Sequence, residues 1–279
     1  MCLYKKISAF VFFLMLLIAF PGLAQTDANP VLLKASILKD AGSIRVDYEL
    51  KNLKKDQIRH LAVTTFLARK TNHSESLGDL SGGGLTHYKC DFDTADLLPG
   101  NYLMATRVDF GDQNNQTRRV YQFFPMTVKD GNFKKTSDAL NVKLKAPSFN
   151  RKSFWQSQGE FELTLKNNLS QPLEPVVVFF LPDGLTVSES EKMYSLKTGE
   201  EQKYEIPLKI DSLAGADNPY SVVVWHEADG IHYSQMITGN IRVEESPVYF
   251  KWFMVLCAFI IVVLTVIFIF RRRKNAAGA

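Results

Sequence analysis

Strict alternation of apolar and polar residues, present in both halves of the chain, constrains this fold more than any other feature. Ile44, Val46, Tyr48 and Leu50 alternate with Arg45, Asp47, Glu49 and Lys51, the pattern of a strand with one buried and one wet face. Tyr102, Met104, Thr106, Val108 and Phe110 keep the same period. In the second half Phe161, Leu163 and Leu165 alternate with Glu162, Thr164 and Lys166. Tyr204, Ile206, Leu208 and Ile210 follow suit, as do Tyr220, Val222 and Val224. No segment between the two chain ends holds a helical period, so the body is read as all-β.

The two halves also match each other. Leu50-Lys51-Asn52 and Leu165-Lys166-Asn167 each close an alternating strand. Phe66-Leu67 follows Leu50 by sixteen residues, and Phe180-Leu181 follows Leu165 by fifteen. Each half later opens a strand with tyrosine, Tyr102 or Tyr220. A repeat of this length is a duplicated domain rather than a solenoid unit. Short strands with turn signals between them predict two tandem Ig-like or fibronectin-type β-sandwiches. The expected organisation is a signal peptide at 1–24, sandwiches at 26–128 and 139–245, a polar linker at 129–138, a transmembrane helix at 248–270 and a basic tail at 271–279.

Leu98-Pro99-Gly100-Asn101-Tyr102 is the sharpest local signal. It has the turn residues and the strand-opening tyrosine of a tyrosine corner, in which the hydroxyl returns to the preceding backbone. With the Val46–Asn52 strand and Val108-Asp109, it makes the first half resemble the cell-adhesion-related Ig-like domain of bacteria. The second half is similar to bacterial glycosidase-associated Ig-like modules. That likeness runs through Leu163–Asn168, Leu181-Pro182-Asp183-Gly184 and Thr198-Gly199-Glu200. These resemblances imply extracytoplasmic binding or spacing, and they carry no catalytic residues.

The chain ends say where such a body would stand. Trp252 to Phe270 contains no charged side chain, and Arg271, Arg272, Arg273 and Lys274 follow at once. At about 1.5 Å per residue that run covers roughly the 30 Å hydrocarbon of a bilayer. The basic cluster places the tail in the cytoplasm, while Lys251 and Trp252 suit the outer interface. At the other end, Lys5-Lys6, the apolar run Ile7–Phe20 and Gly22-Leu23-Ala24 read as a signal peptide cleaved after Ala24. The expected localisation is a single-pass membrane protein with its domains periplasmic or extracellular.

Composition agrees. Seven of the 33 Lys and Arg residues are Lys5, Lys6, Lys251 and the four of the tail, whereas all 29 Asp and Glu lie between the two ends. The exported part therefore carries 26 cations against 29 anions, which is no footprint for nucleic acid. Of three cysteines only Cys90 lies in the exported part, so no internal disulfide is expected there. Cys90 is read as a small buried hydrophobe.

The candidate chemistry is sparse. Ser81-Gly82-Gly83-Gly84, within Gly78–Gly84, superficially resembles a serine-nucleophile sequence, but Leu80 interrupts it and no base is suggested nearby. The reading is a mobile loop that offers a contact surface. Asp91, Asp93 and Asp96 are candidate calcium ligands in an acidic turn, although the spacing lacks the Gly and distal Glu of a complete loop. His226 and His232 flank Asp229-Gly230; a two-residue turn there points the imidazoles to opposite faces, so they cannot share a zinc ion. The same register makes Glu227 and His232 a cross-strand pair. Trp155 is read as a core residue.

No catalytic residues, cofactor or metal are therefore expected. The expectation is a non-catalytic binding or scaffold protein of the cell envelope, with the lipid bilayer and an envelope protein as partners and a glycan as the alternative ligand. The alternatives are an accessory module of a carbohydrate-processing or surface-adhesion system, or a hydrolase at Gly82–Gly84.

Overall fold

The computed structural model describes residues 30–40, 42–112, 116–129, 131, 133, 138–150, 159–211, 214–244 and 248–276. The expected signal peptide and most of the expected linker, together with Trp155, lie outside them. In the first half the strands are β1 (Val31–Asp40), β2 (Ser43–Asn52), β3 (Ile58–Phe66), β4 (His73–Leu80), β5 (Leu85–Asp93), β6 (Gly100–Gly111) and β7 (Thr117–Val128). They form the sheet β1-β2-β5 and the facing strands β7-β6-β3-β4. That is the strand distribution of an Ig-like sandwich.

The second half repeats the plan with β8 (Leu140–Lys145), β9 (Phe149–Asn150), β10 (Gly159–Asn167), β11 (Val176–Phe180), β12 (Leu185–Val187), β13 (Glu191–Met193), β14 (Glu201–Ile210), β15 (Asp217–Ala228) and β16 (Ile231–Glu244). Here β12-β14-β10-β8 faces β13-β11-β15-β16. The short β9 pairs in parallel with the end of β16.

The alternation does what its period demands. Ile44, Val46, Tyr48 and Leu50 are buried in a first core with Tyr102, Met104, Val108 and Phe110. Phe161, Leu163 and Leu165 fill a second core with Leu196, Val222 and Val224. The outer face of β1-β2-β5 is instead laced by the cross-strand pairs Lys34–Glu49 and Arg45–Asp91, with Lys89 beside Asp47. Such exposed pairs contribute little stability but keep the face soluble.

The duplicated Leu-Lys-Asn has one physical cause in both halves. Asn52 and Asn167 are fully buried at the ends of β2 and β10. The Asn52 amide donates to the carbonyls of Asp56, Leu80 and Ser81, and its oxygen accepts from Lys54 N. The Asn167 amide donates to Gln171, Leu196 and Lys197, and its oxygen accepts from Leu169 N. Each asparagine thus ties a strand end to two loops that would otherwise leave carbonyls unpaired.

The chain continues into helix α1, Val248–Ala276. Its side chains are described from Trp252 to Phe268, and the large apolar ones among them are mostly exposed. Among the described residues no helix is long and apolar enough to cross a membrane. The structure thus supports the β-sandwich part of the expected fold, and the transmembrane reading of 248–270 rests on sequence.

Candidate interaction site

The two sandwiches meet at a junction built from motifs of both. At its centre the tyrosine corner forms as expected: Tyr102 is buried and its hydroxyl donates to Leu98 O at 3.0 Å. The Asp229-Gly230 turn also forms, with positive φ at both residues and Ala228 paired to Ile231. The structure then joins the two features. His232 N donates to Pro99 O at 2.9 Å, and β16 pairs in parallel with β6 over His232–Gly100 and Tyr233–Asn101. Gly100 is required there. Its φ is 148°, and a Cβ would overlap the His232 carbonyl. One continuous sheet therefore runs β13-β11-β15-β16-β6-β3-β4 through both sandwiches.

His226 and His232 do lie on opposite faces of the β15–β16 hairpin. His226 stacks on Tyr233, its cross-strand neighbour, with the centroids 5.4 Å apart. His232 stacks on Tyr102 at 3.7 Å, with Trp225 at 5.6 Å. Both imidazoles are buried. His232 Nε2 bonds Ser234 Oγ at 2.8 Å, but its Nδ1 and both His226 nitrogens have no hydrogen-bond partner among the described residues. Burial pushes His226 down to about 4; burial, His226 and Arg69 push His232 down to about 3. Glu227 is opposite His232 in register, yet its carboxylate lies 3.9 Å from Nδ1 and bonds Arg69 at 2.6 Å instead. Glu227 and His232 are thus the expected cross-strand pair, and the Glu227 carboxylate adds an ion pair to Arg69 that crosses between the sandwiches.

Two further contacts lock the junction. Phe180, from β11, inserts edge-on among Phe66, Tyr121 and Phe123, with centroids 5.2–5.9 Å apart. Ala105 and Val223 are buried beside it. Asp183 accepts a hydrogen bond from Arg119 N at 2.7 Å. Burial raises its carboxyl above the usual range despite that bond. Leu181-Pro182-Asp183-Gly184 thus holds the first sandwich as well as turning its own chain.

Beside the Phe180 cluster the sandwiches diverge and leave a cleft of about 670 Å³. Phe66, Leu103, Val176, Val178 and Trp225 form its apolar walls; Arg69, Lys70, Asn72, Glu191 and Lys192 stand on its rim. Met193, 60 % exposed, sits at the mouth on the edge strand β13. Both sandwiches shape this concave surface, and partly open apolar walls with a polar rim are what a binding cleft offers.

The sites expected from sequence lie elsewhere. Ser81-Gly82-Gly83-Gly84 is tied by hydrogen bonds to the end of β2. Asn52 binds Ser81 O, Asn52 N donates to Gly84 O, and Gly83 N donates to Lys54 O. Asp91 and Asp93 belong to β5 rather than to a turn. Asp91 pairs with Arg45, Asp93 caps Ala95 N, and Asp96 pairs with Lys70. Among the described residues no group of three His, Cys, Asp or Glu side chains is placed to hold a metal. Cys90 is buried, and burial raises its thiol pKa, which makes it a poor nucleophile. Trp225 is half-buried, stacked on His232 and part of the cleft wall.

The sequence reading missed the junction, although a signal for it existed. Val176–Phe180 is an unbroken apolar run, and Val222–Val224 is another. Continuous apolar strands are buried on both faces. Here the second face is the junction.

No family model matches the chain, and no curated protein matches it. The two Ig-like families that its halves resemble therefore stay at the level of resemblance. Among solved structures, α2-macroglobulin of E. coli is 10 % identical with a TM-score of 0.33, over 77 % of this chain and 17 % of that one. A protein of unknown function from Porphyromonas gingivalis W83 is also 10 % identical at a TM-score of 0.33, over 77 % of this chain and 100 % of that one. Red sea bream transglutaminase is 10 % identical at 0.28, over 81 % and 34 %. The chain spans less than a fifth of the α2-macroglobulin that it resembles. At such scores the likeness carries no functional argument, and the Ig-like assignment rests on strand order and the tyrosine corner.

Proposed function

We propose that this chain is a non-catalytic, membrane-anchored binding protein of the cell envelope that holds a partner protein in the cleft between its two sandwiches. The cleft carries this reading: both sandwiches contribute its apolar walls, and charged side chains ring its mouth. Absence of a nucleophile–base pair from the sequence favours binding over catalysis. The anchor is supported by the uncharged Trp252–Phe270 run, by the basic cluster Arg271–Lys274 and by the large exposed side chains of Trp252, Phe259 and Phe268 on α1. A helix that is apolar all round suits lipid. The leader before Gln25 supports export, with the C-terminus cytoplasmic.

The test places a photoreactive residue at Met193 in the full chain in its native membrane. The expected result is cross-linking to one dominant protein, reduced at least tenfold by Val176→Asp in the cleft wall. Equal labelling from Met193 and from the remote Leu38, or no effect of the wall substitution, would refute the cleft. A reporter after Lys274 should be cytoplasmic and one at Asp130 exported; the reverse would refute the topology.

A further inference from the structure

We propose that the junction is an acid-operated latch, in which protonation of His232 parts β6 from β16 and opens the cleft that both sandwiches shape. This regulation rests on the partner-binding reading above, and an exported body would experience the external pH directly.

The closed junction disfavours a charged His232. Its ring is completely buried, clamped between Tyr102 of β6 and Trp225 of β15, and its Nδ1 has no hydrogen-bond partner among the described residues. Three groups face it besides those rings, and His226 acts on it from the opposite face of the hairpin. Ser234 of β16 takes Nε2, and Glu227 of β15 lies 3.9 Å from Nδ1. Arg69, on the segment after β3, bonds that same carboxylate and so places a second cation beside any imidazolium. His226 adds like charge when it is protonated. Asp96, which acts on the neighbouring Tyr102, is itself paired with Lys70. One accessible carboxylate therefore faces two cations. Water can reach the Tyr102-facing side of the ring only if the stack opens. The same residue's amide holds Pro99 O, and its backbone abuts Gly100. The ring stack and the β6–β16 backbone pairing thus meet at one residue, and the latch opens both together. Partly buried histidines at an interface are a recognised form of pH switch.

Burial supports the direction, since it holds His232 down to about 3 from an ordinary 6.5. If the opened ring recovers its ordinary affinity for protons, the open population rises about thirtyfold between pH ~7.5 and pH ~5.

Hydrogen exchange on the purified full chain in detergent tests this. Protection of the His232 amide, corrected for intrinsic exchange, should fall at least tenfold over that range. In His232→Gln, which stays neutral, protection should be independent of pH. Should that variant fail to fold, the wild-type imidazole proton resonances serve instead, and their titration midpoint must coincide with the loss of protection. Undiminished protection at pH ~5, the same loss in His232→Gln, or His232 titrating while the junction stays closed would each overturn the latch. The last result would mean that Glu227 changes partner from Arg69 to His232. Cross-linking from Met193 at neutral pH is a separate readout, so a failed latch and a failed cleft are distinguishable.

Discussion

Replacing Phe180 by alanine should lower the stability of the full chain by about 3–4 kcal/mol and weaken the coupling between its sandwiches. The side chain is 6 % exposed, and truncating a buried phenylalanine costs about 3–5 kcal/mol in transfer and cavity terms. That loss includes the edge-on contacts with Phe66, Tyr121 and Phe123. The adjoining cleft allows partial collapse, which holds the total to the lower part of that range. Because each sandwich keeps its own core, the loss falls on their association. Urea unfolding of the detergent-solubilised chain, followed by tyrosine and tryptophan fluorescence, should change from one transition to two. Leu38→Ala, at a half-exposed site on β1, is the control and should cost less than about 0.5 kcal/mol. A Phe180→Ala loss under about 1 kcal/mol with a single transition would refute the idea that this ring locks the junction.

Three other outcomes follow from named contacts. Gly100→Ala should cost about 2 kcal/mol or more and reduce exchange protection of the His232 amide, because its Cβ would overlap the His232 carbonyl at a φ that side chains rarely adopt; unchanged protection would contradict this. Asn52→Ala and Asn167→Ala should each cost about 2–4 kcal/mol by leaving buried carbonyls unpaired, read as a lowered urea midpoint; a loss below about 1 kcal/mol in either would contradict it. His226 and His232 sit at about 4 and about 3, below their ordinary 6.5, so the unfolded chain binds more protons. Stability should be full above roughly pH 7.5 and fall as pH drops through 6.5, by about 2 kcal/mol per histidine at pH ~5; unfolding at both pH values, with and without His226→Gln and His232→Gln, checks this.

Much of each sandwich was legible because one-dimensional periods report burial directly. Tyr48 and Leu50 on one half, and Leu163 and Leu165 on the other, lie where alternation puts them. Tyr102 was legible because its corner is local in sequence. The Asn52–Asn167 match was visible as a repeat, but its cause was not, since each amide reaches carbonyls some thirty residues away. The junction escaped for a similar reason. Phe180 packs on Tyr121 and Phe123, and nothing in either segment names the other. Register made Glu227 legible as the cross-strand partner of His232, but not the approach of Arg69 to its carboxylate. Gly82 and Gly83 suggested freedom, whereas Lys55 O packs where a Gly82 Cβ would sit and Gly83 holds a positive φ.

The claim on which the rest depends is that the two sandwiches act as one body through the Gly100–His232 and Phe180 contacts. Pulsed dipolar EPR between nitroxides at Lys34 on β1 and Lys209 on β14, with Cys257 replaced by serine, tests it most directly. Both labelled positions are exposed, and Cys90 is buried away from the label. The account predicts one narrow distance distribution at neutral pH, broadened in Phe180→Ala. A broad distribution in the otherwise unaltered chain would show two sandwiches moving independently and would contradict it.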